Sequence, residues 1–289
     1  MTENYDENHC WQYDIRLKNY ESDLINSKLT DKETKSLTVS DFDFAYEEKN
    51  VVWKEAKDFI LKHEWLGKMG LYPTHIFTAR YKGILAGVVV MDMPNAFSKL
   101  LGENTRKIER LISRGACISW SPKNLASALI SYSIKWMVEN TRFRLFIAYS
   151  DTEAKELGTI YQACNFYYIG RSSGASKQYQ LDNGRWVSDR YFRSRSVYKK
   201  KAKEAGIDWL ESWQNDSNIL WNNMSNEVES EIRKLSKNYM LSCPVKTIPK
   251  KHKYCYVLGK NKGETKSLKR DFESKNKKLI KPYPKERGK

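Results

Sequence analysis

The 289-residue sequence predicts an α/β fold with a mixed central sheet flanked by helices. Between His75 and Gly170, short apolar runs of strand length alternate with segments of helical periodicity. Apolar residues make up 40% of the chain, which is enough to build a sizeable core. After Arg171 the pattern changes, and we expect a hairpin, further helices and a basic tail to elaborate the central fold.

The segment from Cys117 to Gly170 predicts one strand–helix–strand–helix–strand unit. Ser is a preferred helix N-cap and Pro suits the first helical position, so we expect a helix to begin at Ser121-Pro122. The face of this helix that turns toward the sheet carries Leu125, Leu129, Tyr132 and Trp136. The next run, Phe143 to Tyr149, has the length of a strand and ends at Ser150-Asp151. Asp151 therefore lies at the carboxyl end of a strand, where open α/β sheets bind ligands.

Three elements are expected ahead of this unit. Helical spacing of apolar residues predicts a helix from Val51 to about His63. His75 to Arg80 and Ile84 to Met93 form a hairpin around Lys82-Gly83, and the second strand is apolar on both faces. Lys107 to Trp120 supplies the following strand, which contains Arg114.

Charge is distributed unevenly along the chain. Residues 1–50 hold twelve acidic and six basic residues, a net charge of −6, whereas residues 245–289 hold sixteen basic and four acidic residues, a net charge of +12. A basic body with a basic tail fits a polyanionic partner, although a solvated lysine-rich surface explains the charge equally well. We predict an acidic N-terminal extension over residues 1–50, a catalytic domain over 51–200, a helical insertion over 201–244, and a final strand with a basic nucleic-acid-binding tail over 245–289. The acidic extension is expected to be flexible, with an electrostatic cover over the basic body as the alternative.

Several classes of protein are disfavoured by composition. No run of eighteen apolar residues and no leader-like apolar segment is present, which predicts a cytoplasmic protein with no membrane partner. The five cysteines are widely spaced without a C-x-x-C pair, which favours reduced thiols. The four histidines form no ligand motif, so we name no metal ligands, and the sequence does not indicate whether a metal takes part. The oligomeric state is not indicated.

Basic and aromatic residues interleave after an Asp182-Asn183-Gly184 turn, which is a hairpin signal. Cations suit phosphate contacts and aromatic rings suit stacking on an extruded base, while a structural hairpin with a charged face is the alternative. The residues that we predict to bind nucleic acid are His63, Arg171, Arg185, Trp186, Arg190, Arg193, Arg195, Lys250, Lys251 and Lys253. For His63, a surface or core role is the more usual function of a single histidine.

The segment ELGTIYQACNFYYIG resembles the signature of the GNAT acyltransferase superfamily, with Ile160-Tyr161 on the helix and Asn165-Phe166 at the reversal. The resemblance implies that the helix tyrosine acts as a general acid and that an earlier helix N-terminus holds the diphosphate of the donor. The corresponding loop, Ser121 to Ala126, carries Asn124 where the superfamily has its first glycine. That departure leaves coenzyme A as the donor an open question.

A narrower resemblance extends from about His63 to the C-terminus. SPKNLASALI, YSDTEAKELGTIYQACNFYYIGR, LDNGRWVSDR, IPKKHKYCYVLG and KPYPK occur in the order found in the Mom family of phage DNA-modification proteins. This resemblance implies a transferase that modifies the N6 amine of adenine in phage DNA with a carbamoylmethyl or glycyl-type group and protects the DNA from host restriction. The matched functional positions are Arg114, Ser127, Asp151 and Tyr161.

We therefore expect Asp151 to act as base or orienting group and Tyr161 as acid or donor-orienting group. The expected cofactor-binding residues are Arg114, Ser121, Lys123, Asn124 and Ser127. The donor is acetyl-CoA or another acyl-CoA, or alternatively an aminoacyl-tRNA, in which case tRNA joins the phage genome as a partner. Two other functions stay open: acetylation of a protein or small amine, and DNA binding without catalysis.

Overall fold

The computed structural model describes residues 10–70, 72–172, 176–216 and 218–285. Residues 1–9 of the predicted N-terminal extension and 286–289 of the predicted tail therefore lie outside the description. The contacts divide the chain into two compact units, one formed by the residues up to Ser172 together with those from Lys251, and the other by Ser173–Lys250. The units therefore divide after Ser172 and after Lys250. The boundaries predicted after residues 200 and 244 rest on changes in amino-acid composition along the chain.

The helices of the first unit, in chain order, are α1 (Trp11–Ser27), α2 (Asp31–Ser36), α3 (Lys49–His63), α4 (Thr105–Ile108), α5 (Leu125–Asn140), α6 (Thr159–Ala163) and α10 (Lys262–Asn276). Its strands are β1 (Asp43–Glu47), β2 (Pro73–Tyr81), β3 (Ile84–Asp92), β4 (Glu109–Cys117), β5 (Leu145–Ser150), β6 (Tyr167–Arg171) and β10 (His252–Val257). The second unit contains β7 (Ser176–Gln180), β8 (Trp186–Ser188), α7 (Asp189–Phe192), α8 (Arg195–Glu204), α9 (Asn226–Ser242) and β9 (Val245–Ile248).

The first unit is built on a seven-stranded sheet of order β1-β2-β3-β4-β5-β10-β6. Every neighbouring pair is antiparallel except β4 and β5, which are parallel. Their pairing runs only from Glu109 opposite Leu145 to Ile112 opposite Ala148. Because β4 continues to Cys117 and β5 to Ser150, the two strands separate over their last residues and leave an opening in the sheet.

The predicted hairpin of β2 and β3 is confirmed, including its turn. Lys82 and Gly83 both have positive φ, of 48° and 82°, as a two-residue turn that matches strand twist requires. From Leu85 onward β3 is buried at every position, which confirms that both of its faces are covered. The helix predicted to begin at Ser121 begins instead at Leu125, because the Leu125 amide donates to the carbonyl of Pro122 and closes a tight turn ahead of the helix.

The predicted flexible N-terminal extension is wrong for its described residues. Strand β1 pairs with β2 at the edge of the sheet, and α1 contacts α3. Asp23 of α1 is only 1% exposed, and its carboxylate accepts hydrogen bonds from the amide and hydroxyl of Ser119. The Trp120 indole also donates to Ser27 at 3.0 Å. At least one acidic residue of this segment, Asp23, therefore forms fixed contacts with the core and is not exposed to solvent.

The basic C-terminal segment is not an extended tail. After β10, which inserts between β5 and β6, the chain forms α10, and Phe272 of this helix is fully buried in a cluster with Leu145, Ile147 and Val257. The Asn276 side chain donates to the carbonyl of Leu100. After α10, the described residues 280–285 are extended, and Lys281 forms an isolated antiparallel β-bridge with Tyr168 of β6.

The second unit has a three-stranded antiparallel sheet of order β8-β7-β9 and the helices α7, α8 and α9. The hairpin predicted at Asp182-Asn183-Gly184 is confirmed, since β7 pairs with β8. Within the predicted helical insertion over residues 201–244, α9 is a helix, whereas Ile207 to Trp213 form a loop that ends in a single 3₁₀ turn. Across residues 10–70, 72–172, 176–216 and 218–285, no helix combines the length and apolarity needed to cross a membrane.

Candidate active site

A cavity of about 380 Å³ lies where β4 and β5 separate, within the first unit. We call it the splay cavity. Its walls include Ser113–Cys117 of β4, Tyr149–Asp151 at the end of β5, and Ala126, Leu129 and Ile130 of α5. Side chains of α1, the segment after α3, α6 and the residue before β10 complete it. A cavity with few polar groups set among apolar ones is the usual form of a small-molecule site.

Asp151 lines the splay cavity at the end of β5, as predicted, and is 7% exposed. Its Oδ2 is 2.7 Å from the Lys251 ammonium, and its Oδ1 accepts the amide of Glu153 at 3.0 Å. The Asp151 amide in turn donates to Oε2 of Glu156 at 3.0 Å. Both carboxylate oxygens of Asp151 therefore have a hydrogen-bonding partner, which holds the group in one orientation.

Tyr161 lines the same cavity from α6. Its ring packs against Phe166 and Tyr254, with centroids 5.3 and 5.4 Å away, and Asn165 adopts the left-handed conformation predicted for the reversal. The hydroxyl makes no hydrogen bond within the described residues, and burial together with Glu156 and Glu64 raises its pKa well above the ordinary value of 10. Tyr161 is therefore a neutral hydroxyl that can donate a proton to a bound group.

Gly158 helps to fix the position of this tyrosine. It has a φ of +68° immediately before α6, and a Cβ added there would lie 2.4 Å from the Tyr254 ring. The Tyr254 hydroxyl donates to the carbonyl of Leu157. Because a side chain at residue 158 fits neither the backbone nor the space, the turn requires glycine.

Arg114 also lines the splay cavity, from β4. Its Nε donates to the carbonyl of Lys68 at 2.6 Å and its Nη1 to the carbonyl of Ser113 at 2.5 Å. Nε also lies 3.4 Å from Oε2 of Glu64. These contacts fix the guanidinium and leave Nη2 without a partner among the described residues, so it is available to an anionic or carbonyl group of a ligand.

Glu64 was not predicted to belong to the site. Its side chain is 12% exposed, lines the splay cavity, and has Oε2 buried without a hydrogen-bond donor among the described residues. Burial raises the pKa of Glu64 from 4.5 to about 8; Arg114 opposes this shift, while Glu156 adds to it. Burial also raises the pKa of Glu156, whose Oε1 accepts the Trp65 indole N–H at 3.0 Å.

The raised pKa of Glu64 predicts how stability depends on pH. The folded protein binds a proton at Glu64 that the unfolded chain releases above about pH 4.5, so the stability from this group is lost as pH rises through about 8. Between about pH 6 and about pH 9, wild type should lose roughly 2–3 kcal/mol more stability than Glu64→Gln. Urea unfolding of both proteins at a series of pH values measures this difference. Parallel curves would contradict it.

The residues predicted to bind the donor do not all lie at the splay cavity. Lys123 and Asn124 are exposed ahead of α5, and Ser121 is buried with its carbonyl accepting the Arg16 guanidinium at 2.5 Å. Ser127 turns its hydroxyl back to the carbonyl of Asn124. None of these four residues is among those that line the splay cavity, whereas their neighbour Ala126 is. Of the predicted donor ligands, only Arg114 has a side chain at the cavity.

His63 lies in the interior rather than at a nucleic-acid surface. It is 5% exposed, packs on Phe59 with ring centroids 4.3 Å apart, and has Nδ1 3.6 Å from Oδ2 of Asp23. Burial lowers the pKa of His63 to about 4. A neutral, buried imidazole with these neighbours stabilises the contact of α1 with α3 and does not reach a DNA backbone in this arrangement.

The other predicted nucleic-acid ligands have different surroundings in the two units. In the first unit Arg171 is exposed, Lys251 pairs with Asp151, and Lys253 lies over the Tyr149 ring. In the second unit Arg190 and Lys250 are exposed. The Arg185 guanidinium lies over the Tyr191 ring, and the Lys246 ammonium lies over the Trp186 ring. Arg193 forms an ion pair with Asp189, and Arg195 donates to the carbonyls of Asn215 and Asp216. Two interleaved aromatic residues expected to stack on a base, Phe192 and Tyr198, are instead buried core residues at 2% and 5% exposure.

No group of three or more histidine, cysteine or acidic residues in the described part of the chain is arranged to hold a metal ion.

Comparison with known proteins gives one family and a set of structures. The model of the Mom protein family matches residues 45–285. Among curated proteins, none matches the chain. Similar solved structures include an IAA acetyltransferase from Bacillus cereus (10% identity, 75% of this chain and 99% of that chain, TM-score 0.37) and a GNAT family acetyltransferase from Elizabethkingia anophelis with acetyl-CoA bound (10% identity, 75% and 99%, TM-score 0.33). An N-acetyltransferase from Staphylococcus aureus shares 13% identity over 50% of this chain and 92% of that chain, with a TM-score of 0.34.

These similarities are too low to carry a statement about activity or ligands. The architecture itself, a mixed seven-stranded sheet flanked by helices, is the GNAT-like α/β fold that the sequence predicts. The family match covers β2 to β10, the last part of β1 and the whole second unit, and it includes all residues of the splay cavity except those between Cys10 and Arg16. The chain belongs to the Mom protein family.

Proposed function

We propose that the protein transfers a carbamoylmethyl or glycyl-type group to the N6 exocyclic amine of adenine in phage DNA and so protects that DNA from host restriction. The observation that carries this proposal is the meeting of Arg114, Asp151 and Tyr161 at one cavity. These three positions come from β4, the end of β5 and α6, and all three are among the positions matched by the resemblance to the Mom family. A cavity that joins a fixed cation, a carboxylate and a neutral hydroxyl can support acyl transfer.

Each residue has a distinct part in the proposed reaction. For a glycyl-type group, the adenine amine attacks the acyl carbon of the donor, and Tyr161 gives its proton to the departing thiolate or ribose oxygen. Nη2 of Arg114 binds the carbonyl oxygen or an anionic group of the donor. Asp151 orients the amine or accepts its proton. The amine is inaccessible inside a duplex, so the adenine must be extruded or single-stranded.

The donor that we propose is an acyl-coenzyme A. Its diphosphate would be held at the N-terminus of α5, where the amides of Ala126 and Ser127 make no backbone hydrogen bond among the described residues and Lys123 adds positive charge. An aminoacyl-tRNA brings a ribose ester and a phosphate backbone to the same place. The two donors are separated by the experiment below.

The first unit also carries a basic surface suited to DNA phosphates. Lys262, Lys266 and Arg270 recur at four-residue spacing on α10 and line one open groove with Lys260 and Lys269. None of these five cations forms an ion pair with another described residue. In contrast, Lys275 of the same helix pairs with Asp271. Cations without acidic partners are free to displace counterions from a polyanion.

The proposed activity is tested by mass spectrometry of nucleosides from DNA treated with purified protein. Duplex and single-stranded DNA are each incubated with isotope-labelled acetyl-CoA or with labelled aminoacyl-tRNA. A mass increase on deoxyadenosine that depends on Tyr161 supports the proposal and identifies the donor. Unmodified deoxyadenosine with both donors, from protein shown to be folded, would contradict it. Label on added small amines or proteins in place of DNA would favour the acetyltransferase alternative.

Neutralising the basic groove of α10 should weaken DNA binding and reduce its salt dependence. Each lost phosphate contact removes about 0.9 from the slope of log K against log salt, so Lys262→Gln, Lys266→Gln and Arg270→Gln together should reduce it by up to about 2.7. The matched control is Lys32→Gln, Lys54→Gln and Lys57→Gln, which removes the same charge from exposed positions of the first unit. Fluorescence anisotropy titrations at several salt concentrations measure both. Equal slopes for the two variants would reject this surface as the phosphate contact.

A further inference from the structure

Three carboxyl groups approach the splay cavity, and their hydrogen bonds distinguish them. Asp151 accepts donors at both oxygens, from Lys251 and the Glu153 amide. Glu156 does the same, from the Trp65 indole and the Asp151 amide. Each of these four oxygens already accepts one hydrogen bond, so a proton taken from a substrate by Asp151 or Glu156 would compete with that contact.

Glu64 differs from the other two. Its Oε2 is buried and accepts no hydrogen bond from any described residue. The guanidinium Nε that lies 3.4 Å away is directed to the carbonyl of Lys68, with which it makes the shorter contact of 2.6 Å. Among the three carboxyl groups, Glu64 alone therefore has an oxygen that accepts no hydrogen bond within the described structure.

We propose that Glu64 is the general base of the transfer reaction, taking the proton that the N6 amine loses when its nitrogen attacks the acyl carbon. This inference rests on the proposed function. The new bond joins the amine nitrogen to the acyl carbon, and the bond that breaks joins the acyl carbon to the donor's sulfur or ribose oxygen. The amine proton passes to Oε2 of Glu64, and the leaving atom receives the proton of Tyr161. Asp151, held by Lys251, then serves to position the amine.

The surroundings of Glu64 suit a group that both gains and releases a proton. Besides Glu64, the charged and titratable residues that line the cavity are Cys10 before α1, Tyr13 and Arg16 of α1, Arg114 and Cys117 of β4, Tyr149 of β5, Asp151, Lys155 and Glu156 of the loop after β5, Tyr161 of α6, and Lys251 before β10. Burial raises the pKa of Cys117 to about 12 and that of Tyr161 well above its ordinary value, so neither titrates near neutrality. The carboxyl of Glu64, with a pKa of about 8, does. A base is most effective when its pKa lies near the working pH.

The pH dependence of the transfer rate tests this assignment. For wild type, kcat/KM should rise about tenfold per pH unit on the acidic side and level off above about pH 8, because only ionised Glu64 accepts the proton. Glu64→Gln should lose about 10²–10⁴-fold in kcat/KM, and the acidic limb should disappear. Glu64→Asp should keep the limb at a reduced rate. Glu139→Gln, at an exposed position of α5, is the matched control and should behave as wild type.

The alternatives give different results. If Glu64 only positions Arg114, Glu64→Gln should raise KM and retain the acidic limb, which would overturn the inference while leaving the proposed function intact. An acidic limb that vanishes in Asp151→Asn and survives in Glu64→Gln would assign the base to Asp151. A wild type that modifies no DNA at any pH would overturn the proposed function and this inference together.

Discussion

Tyr161→Phe should lower the rate of DNA modification by about 10²–10⁴-fold while leaving the fold and the affinity for DNA almost unchanged. The substitution removes one hydroxyl that forms no hydrogen bond within the described residues, and it keeps the ring that packs on Phe166 and Tyr254. The cost to stability should therefore be less than about 0.5 kcal/mol. If the hydroxyl protonates the leaving group, kcat and kcat/KM should fall together, because the contact is made in the transition state.

The control for this prediction is Tyr132→Phe. Tyr132 lies on α5, packs against the same hydrophobic core and is not among the residues that line the splay cavity. Its loss of a hydroxyl should leave the modification rate within about twofold of wild type. Quantifying modified deoxyadenosine under single-turnover conditions separates chemistry from product release. A Tyr161→Phe protein of full activity would remove the proposed acid from the mechanism.

Elements specified by neighbouring residues could be predicted from the sequence. The turn at Lys82-Gly83 and the reversal at Asn165 depend on local backbone preferences, and both adopt positive φ. The position of Asp151 follows from the end of a short apolar run. In each case the determining chemistry lies within a few residues of the feature it determines.

Features that depend on distant parts of the chain were missed. Strand β10 follows β6 by about eighty residues and yet lies between β5 and β6, a pairing that no local pattern specifies. The burial of Glu64 requires residues of α1, β4 and the loop after β5 to meet around it. His63 was predicted as a nucleic-acid ligand, with a surface or core role as the alternative, and its burial beside Asp23 depends on a residue forty positions earlier.

The composition of the C-terminal segment concealed a core helix. Leu268, Phe272 and Asn276 recur at four-residue spacing on the face of α10 that packs on the sheet, but sixteen basic residues between 245 and 289 favoured the interpretation of a solvated tail. In the N-terminal segment, twelve acidic residues similarly favoured the prediction of a flexible extension over that of the helix α1 and the strand β1. Net charge describes a surface, whereas burial of a helix is decided by a few apolar positions.

Phe272→Ala should therefore destabilise the protein by about 3–5 kcal/mol, although it lies within the most basic part of the chain. The phenyl ring is fully buried and packs on Tyr167 with centroids 4.9 Å apart, in a cluster with Leu145, Ile147 and Val257 of the central sheet. Its removal leaves a cavity beneath α10 that the surrounding strands fill only in part. Lys266→Ala on the exposed face of the same helix is the matched control and should change stability by less than about 0.5 kcal/mol. Urea unfolding measures both, and a shifted midpoint with an unchanged slope would assign the loss to the folded state. Truncation after Gly259 removes the whole helix and should abolish folding of the first unit. Any loss of DNA binding by the truncated protein would therefore report unfolding. The variant at Lys262, Lys266 and Arg270 keeps the helix and so measures the effect of the positive charges on DNA binding. A Phe272→Ala protein as stable as wild type would mean that α10 does not contribute to the core.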